Sequence, residues 1–249
     1  MVPKIHSFIL QGIDATPCEI EIDLDDAQLQ KELIVGLPDA AVRESLERVR
    51  AAIGNTGYPM PLGRTLINLA PADVRKEGPM YDLPIAVGLL MAQQVIHHRA
   101  PVGIPNGGGD LLEDERGLDP RRVLFAGELA LDGRVRPIRG AIAMAELARS
   151  MGLDAVIVPI ANASEASVVG GVRVFGVSTL AEVVGLVNGE LPLEPHPPVD
   201  VASMIALASA PIDFSEIKGQ ESVKRAMVIA AAGQHNIVKL CTSNGNGEP

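Results

Sequence analysis

Alternating apolar and polar positions divide the first part of the chain into short elements. Ile5 to Ile13 reads as a strand. Glu19-Ile20-Glu21-Ile22-Asp23-Leu24 alternates strictly, which predicts a strand with one wet face and one buried face. Leu33 to Leu37 predicts a third strand, ending at Pro38-Asp39. Beyond it Val42, Leu46, Val49 and Ile53 fall at helical spacing, with Arg43, Glu44, Glu47, Arg48 and Arg50 between them. That is an amphipathic helix, stopped near Gly54-Asn55.

Arg64 to Ala70 (RTLINLA) predicts a central strand, and Lys76-Glu77-Gly78-Pro79 a tight turn after it. The following run, Leu83 to Ala92, is apolar all round, so its helix should be buried. Asp82 is expected to cap the orphan N–H groups of that helix, and Pro84 fits its first turn. A strand that delivers a turn onto a helix N-terminus is a common place for a nucleophile or an anion. The position after Gly-Pro is Met80, which can serve as neither.

The pattern then lapses. His97 to Arg122 holds prolines, Gly107-Gly108-Gly109 and an acidic run, and reads as a solvated surface insertion. Val123 to Leu131 and Arg134 to Ile138 flank Asp132-Gly133, a strong hairpin signal. A helix over Ile138 to Met151, a buried strand at Ala155 to Pro159, a short helix from Asn162 to Val169 and a strand at Val172 to Phe175 follow. Thr179-Leu180-Ala181-Glu182 is a capping box that opens a helix to Asn188. Composition shifts at Gly189 to a proline-rich stretch, and a helix from Glu221 to Gly233 follows a polar lead-in. Strands and helices together predict an α+β fold, a mixed sheet with packed helices.

Composition narrows the function classes. The 249 residues are 47% hydrophobic but only 2% aromatic and contain no Trp, so Val, Ile, Leu, Ala and Met must fill the core. A net charge of −10 is a poor footprint for a stand-alone nucleic-acid binder. Cys18 and Cys241 are far apart and read as free thiols of a reducing cytoplasm. No opening segment resembles a signal peptide, and no uncharged run approaches the roughly 18 residues of a membrane helix. Arg43, Arg48, Arg50, Arg64 and Arg75 are expected on a solvated helix face and at strand ends, and Lys76 on the surface. His97-His98 lacks the spacing of a metal pair. Met91, Met144 and Met151 read as core filler.

Five segments add a likeness. Gly36 to Ser45 (GLPDAAVRES), Asn68 to Asp73 (NLAPAD), Lys76 to Ala86 (KEGPMYDLPIA), Gly127-Glu128-Leu129 with Asp132-Gly133, and Asp213-Phe214 with Gly219-Gln220 occur in one order. On these the chain resembles the magnesium-chelatase-like ATPases of the ComM (YifB) family, from about His6 to Asn236. The resemblance implies a Lon-protease-like domain over residues 1–188, a linker over 189–211 and the beginning of an AAA+ module over 212–249. Members form rings that use ATP and Mg²⁺, and the family's namesake is associated with competence as a DNA branch-migration motor. For the full-length protein it therefore implies self-association and DNA as partners, with no membrane.

Carried over residue by residue, the likeness also predicts lost chemistry. A Lon-type peptidase places a serine just after Gly-Pro and a lysine in the helix after the hairpin, where a desolvated amine serves as base. The serine place is Met80 and the lysine place Met144, so no catalytic dyad is expected. Phe214, Ile217, Gly219 and Gln220 would stand on the adenine side of a nucleotide site. Thr242 to Pro249 takes the place of the phosphate loop: Gly247 matches its second glycine and Gly245 lies within it. Glu248 stands for the lysine and Pro249 for the hydroxyl residue, so this loop is degenerate and the tail reads as truncated or frame-shifted. No cofactor and no metal are expected on this chain itself. The leading expectation is a non-proteolytic oligomerisation or regulatory domain of a ring ATPase. Its rivals are a residual Ser/Lys hydrolase, the ATPase subunit of a metal-chelatase-like complex, and a direct DNA-binding module.

Overall fold

The computed structural model describes residues 2–25, 31–97, 118–200, 213–233 and 237. The chain divides into two units, Met1–Asp200 and Val201–Pro249. The first is α+β. Its strands are β1 (Lys4–Gln11), β2 (Asp14–Asp25), β3 (Lys31–Val35), β4 (Arg64–Ala70), β5 (Val123–Phe125), β6 (Glu128–Leu129), β7 (Val135–Arg136), β8 (Ala155–Pro159) and β9 (Arg173–Val177). Its helices are α1 (Ala40–Asn55), α2 (Asp82–Ala92), α3 (Ala141–Ser150), α4 (Ile160–Ala166) and α5 (Leu180–Asn188). The second unit carries a single-turn helix at Phe214–Glu216 and α6 (Glu221–Ala232).

Seven strands form one mixed sheet in the order β3-β4-β2-β1-β5-β8-β9, and β6 pairs with β7 in a separate small hairpin. β1, β2 and β4 run antiparallel, with Ile20 opposite both Ile5 and Leu69. β3 adds in parallel to β4, and β5, β8 and β9 continue in parallel from β1. Period-two alternation sends successive side chains to opposite faces. Ile5, Ile9, Phe125 and Ile157 face α1, α2 and α5, whereas Phe8, Leu124, Val156 and Val158 face α3 and α4. α2 is buried from Asp82 to Leu90, as its all-round apolar run requires.

Several expected elements change extent. β2 begins at Asp14, five residues before the alternation starts, because the tight turn after β1 pairs Gln11 with Asp14 directly. The expected strand Val123 to Leu131 breaks after Phe125, and its hairpin is reduced to two residues per strand. Backbone groups at the break are diverted: Ala126 N–H donates to Ile157 and Gly127 N–H to Met80. α3 starts at Ala141 rather than Ile138, since Asn162 bonds both the N–H (2.9 Å) and the C=O (3.0 Å) of Ile138 and holds it outside the helix. Met151, expected in the core, is 36% exposed at the C-cap of α3. Most of the insertion expected at 97–122 lies outside the described residues, as does His98; Leu118 returns buried.

The expected helix-capping role of Asp82 is not what the structure uses. Asp82 is the first residue of α2 and is fully buried, with Tyr81 at the N-cap. Its carboxylate accepts from Arg48 of α1, Nε at 2.7 Å and Nη2 at 2.9 Å, and from the Leu129 N–H of β6 at 3.1 Å. Arg48 also donates to Ala41 O and Ser45 Oγ, so it is not the solvated arginine expected. Burial pushes the Asp82 pKa above its usual value while Arg48 and the Leu129 N–H pull it back, and the bond to Asp82 raises that of Arg48. Breaking a buried pair leaves an uncompensated charge, which costs far more than deleting a surface bridge. Arg48→Ala should therefore lower unfolding stability by about 3 kcal/mol. Asp82→Asn keeps an acceptor for Leu129 and should cost less. Urea unfolding of both variants checks this, and a loss under about 1 kcal/mol for Arg48→Ala would show the pair to be incidental.

Candidate functional site

The turn from Lys76 to Asp82 is where the separated motifs meet. Asp39 caps α1, one carboxylate oxygen accepting from Val42 N–H at 2.8 Å. Its other oxygen accepts from Gly78 N–H at 3.1 Å, which ties the segment before α1 to the turn. Backbone bonds finish the join: Asp39 N–H to Lys76 O at 3.0 Å and Lys76 N–H to Leu37 O at 3.2 Å. Gly78 has φ +82, a conformation open to glycine at little cost, and this sets the direction of the turn into the short helix Pro79–Tyr81.

The hairpin motif docks on the other side. Gly127 N–H donates to Met80 O, and Leu83 N–H donates to Gly127 O, both at 3.0 Å. Pro84 has no N–H, so it makes no claim on Met80 O, the helical acceptor four residues back. That carbonyl is thereby left for Gly127. Sequence spacing alone did not reveal this exchange between residues more than forty positions apart.

Met80 is partly buried and packs against the core clusters on both faces of the sheet. Met144 is fully buried in the α3–α4 cluster, the second of the two that Met80 touches. The two methionines thus border one apolar region lined by Phe8, Leu124 and Ala126. A thioether there can neither attack a carbonyl nor take a proton.

Lys76 corrects another expectation. It is fully buried, not on the surface. Its Nζ donates to Pro71 O and to Val74 O, the latter at 2.8 Å, closing the loop that follows β4. Burial lowers its pKa from the ordinary lysine value, with Cys18 and Asp73 acting weakly the other way. Cys18 is a free, buried thiol on β2 whose pKa burial pushes up to about 12. An amine caged by two carbonyls and a thiol held neutral at neutral pH support packing, not nucleophilic attack.

The remaining candidates scatter. Arg50 pairs with Glu32 and Arg75 lies 3.5 Å from Glu77, while Arg43 and Arg64 are exposed; with Arg48 on Asp82, three of the five arginines are met by carboxylates. His97 is tied through its backbone N–H to Asn188 Oδ1 at 3.0 Å. In the second unit Phe214 and Ile217 are each 40% exposed, and Gly219 and Gln220 lead into α6. Gly245 and Gly247 lie outside the described residues. Among the described residues no group of three or more His, Cys, Asp or Glu could hold a metal ion, and no helix is long and apolar enough to cross a membrane.

Two outcomes follow from the caged groups. Lys76→Met should leave two carbonyls without their donor and cost about 1–3 kcal/mol, measured by urea unfolding. In a Cys241→Ser background, Cys18 should react with a disulfide reagent at pH 8 on the order of a hundredfold more slowly in the native protein than in urea. Equal rates would show that the thiol is accessible.

Comparison with known proteins bears on the motif set. The profile of the family described as subunit ChlI of Mg-chelatase matches residues 20–104 and 111–162. A second profile, magnesium chelatase subunit ChlI, matches residues 213–248. The competence protein ComM of Haemophilus influenzae is 35% identical over 237 residues, covering 95% of this chain and 42% of ComM. YifB of Salmonella typhimurium is 36% identical over 236 residues, covering 95% of this chain and 42% of YifB. An uncharacterized protein of Mycobacterium tuberculosis is 35% identical over 235 residues, with 94% and 42% covered. The chain thus spans less than half the length of these relatives. With the first profile falling on the segments whose turn, cap and hairpin contacts are described above, and the second on the segment that holds α6, the chain belongs to the magnesium-chelatase ChlI family as a protein of the ComM/YifB type.

Proposed function

We propose that this chain is the front part of a ComM-type AAA+ ring ATPase, and that its first unit is a non-proteolytic, Lon-protease-like domain for oligomerisation or regulation of a DNA branch-migration motor in the cytoplasm. One observation carries the non-proteolytic part: Met80 and Met144 border a single apolar cluster where the peptidase resemblance places a serine and a lysine. The charged groups beside the turn are occupied as well. Asp39 holds two N–H groups, Asp82 holds Arg48, and Lys76 holds two carbonyls. Placing a lysine in that cluster would desolvate it with no partner prepared. These occupied groups support the non-proteolytic reading over a residual hydrolase at this turn.

The motor part of the reading rests on kinship and on α6. Val223, Val228 and Ile229 of α6 are 38%, 54% and 56% exposed, an apolar surface that an isolated helix cannot bury. In the longer relatives there is further chain to cover it. ATP and Mg²⁺ would belong to that complete protein. The residues at the phosphate-loop place here do not fit them, since Glu248 opposes phosphate and Pro249 offers no hydroxyl. The match to a chelatase subunit favours a second reading, the ATPase subunit of a metal-chelatase-like complex. DNA-stimulated ATP turnover by an extended protein with an intact Gly-Lys-Thr would favour the motor over the chelatase.

The peptidase question is checked directly. Unfolded casein and small peptides should not be cleaved by the purified chain, and turnover that survives Met80→Ala with Met144→Ala would overturn the reading. Calorimetry with ATP and Mg²⁺ should show no binding in the micromolar range. A low-micromolar dissociation constant lost on Gly219→Trp would instead reveal a nucleotide site.

A further inference from the structure

Residues Leu191 to Val199 contain Pro192, Pro195, Pro197 and Pro198, a composition read above as a plain linker. Their contacts are those of a docked segment. Leu191, Leu193, His196 and Val199 are half-buried, while the prolines and Glu194 between them point to solvent. From Leu193 onward the spacing is three, the repeat of a polyproline helix. Leu193 packs on the core cluster beside α5. His196 N–H donates to Val174 O of β9 at 2.7 Å, and Val199 N–H to Ser167 O at 3.3 Å.

The fold has room built in for the segment. Gly185 sits inside α5, where glycine weakens a helix. A Cβ at that position would meet the Leu191 Cβ at 3.1 Å, and Gly185 O accepts both Glu190 N–H (2.7 Å) and Leu191 N–H (2.9 Å). At the far end the imidazole of His196 is seated by its Nδ1, 3.0 Å from Ser167 Oγ and 2.9 Å from Pro197 O. Ser167 donates its own hydroxyl proton to Ala163 O at 2.7 Å. Its oxygen can therefore only accept from the ring, and Pro197 O is an acceptor too. Nδ1 must carry the hydrogen, which leaves Nε2 as the unprotonated nitrogen of the neutral ring.

β9 is the last strand of the sheet, so its outer edge would otherwise offer unpaired carbonyls and N–H groups to any extended chain. A proline-rich segment suits this edge. It supplies hydrogen bonds at chosen points and, lacking N–H groups elsewhere, cannot template a further strand.

We propose that Leu191–Val199 is a strap, a built-in cover for the edge of β9, latched by His196 on Ser167 and by Leu191 on Gly185. Docked, it belongs to the first unit, which runs to Asp200. Released, it bares the β9 edge and frees residues 191–199. The strap is thus a conformational device at the end of the first unit, and it stands whether or not the motor reading does, because its contacts all lie within that unit.

Amide hydrogen exchange by NMR on the full 249-residue chain tests it. The amides of His196 and Val199 should exchange at least about tenfold more slowly than their intrinsic rates. His196→Ala and, separately, Gly185→Leu should return Val199 to near its intrinsic rate while Leu89 and Leu90 of α2 stay protected, which shows that the rest of the unit is folded. Nitrogen shifts of the His196 ring should report Nδ1–H in the neutral form. Intrinsic-rate exchange at His196 and Val199 or an Nε2–H ring in the unaltered protein, or undiminished protection of Val199 in a folded His196→Ala variant, would each overturn the proposal.

Discussion

The carboxylate of Asp82 lies wholly inside the fold, and its charge has to be met there. Removing an ion from water costs several kcal/mol even after the protein relaxes around it, so the site survives only if partners arrive from every side. They come from different elements: Arg48 from α1 and the Leu129 N–H from the β6–β7 hairpin. A one-residue slip of any of these would strand the charge. The pair thereby fixes the register of α1 and of the hairpin against α2, a specificity that apolar contacts alone would leave looser.

Once that register is set, the rest of the turn follows. Asp39 bridges the cap of α1 and the Gly78 N–H, Lys76 closes the loop after β4, and Gly127 exchanges backbone bonds with Met80 and Leu83. Segments that look like separate motifs are parts of one polar joint, buried at Lys76 and Asp82 and half-buried at Asp39 and Gly78. Such a joint resembles an active site in composition, with carboxylates, a lysine and a helix N-terminus close together. The difference lies in satisfaction, because each of those charged groups already has its partner and the adjoining positions are methionine. The joint therefore holds the shape of the turn.

The two units differ in how complete they are as folding objects. The first buries a core on both faces of its sheet. The second contains no buried residue in its single-turn helix or in α6, and Val223, Val228 and Ile229 of α6 are exposed. The first turn there is nonetheless locally well made, with Asp213 and Glu216 in a reciprocal capping box. Local chemistry can shape such a segment, but only tertiary partners can stabilise it.

The sequence by itself determined the order and type of most elements, because apolar periodicity and Gly/Pro punctuation act over a few residues. RTLINLA is a strand with the predicted ends, and Thr179 caps α5 as read, although Glu182 accepts from the Ser178 N–H at 2.7 Å instead of closing a capping box on Thr179. Tertiary structure alone decided which charges are inside. Lys76 reads as a surface residue and Asp82 as a helix cap, because a charged side chain in one dimension shows no sign of the carbonyls or arginine that will meet it. Their partners lie on other strands, helices and loops, brought together only by packing. The same holds for the proline-rich stretch. Its composition says extended and unable to form a ladder, while the seat for it, Gly185, Val174 and Ser167, exists only once α5, β9 and α4 are assembled side by side.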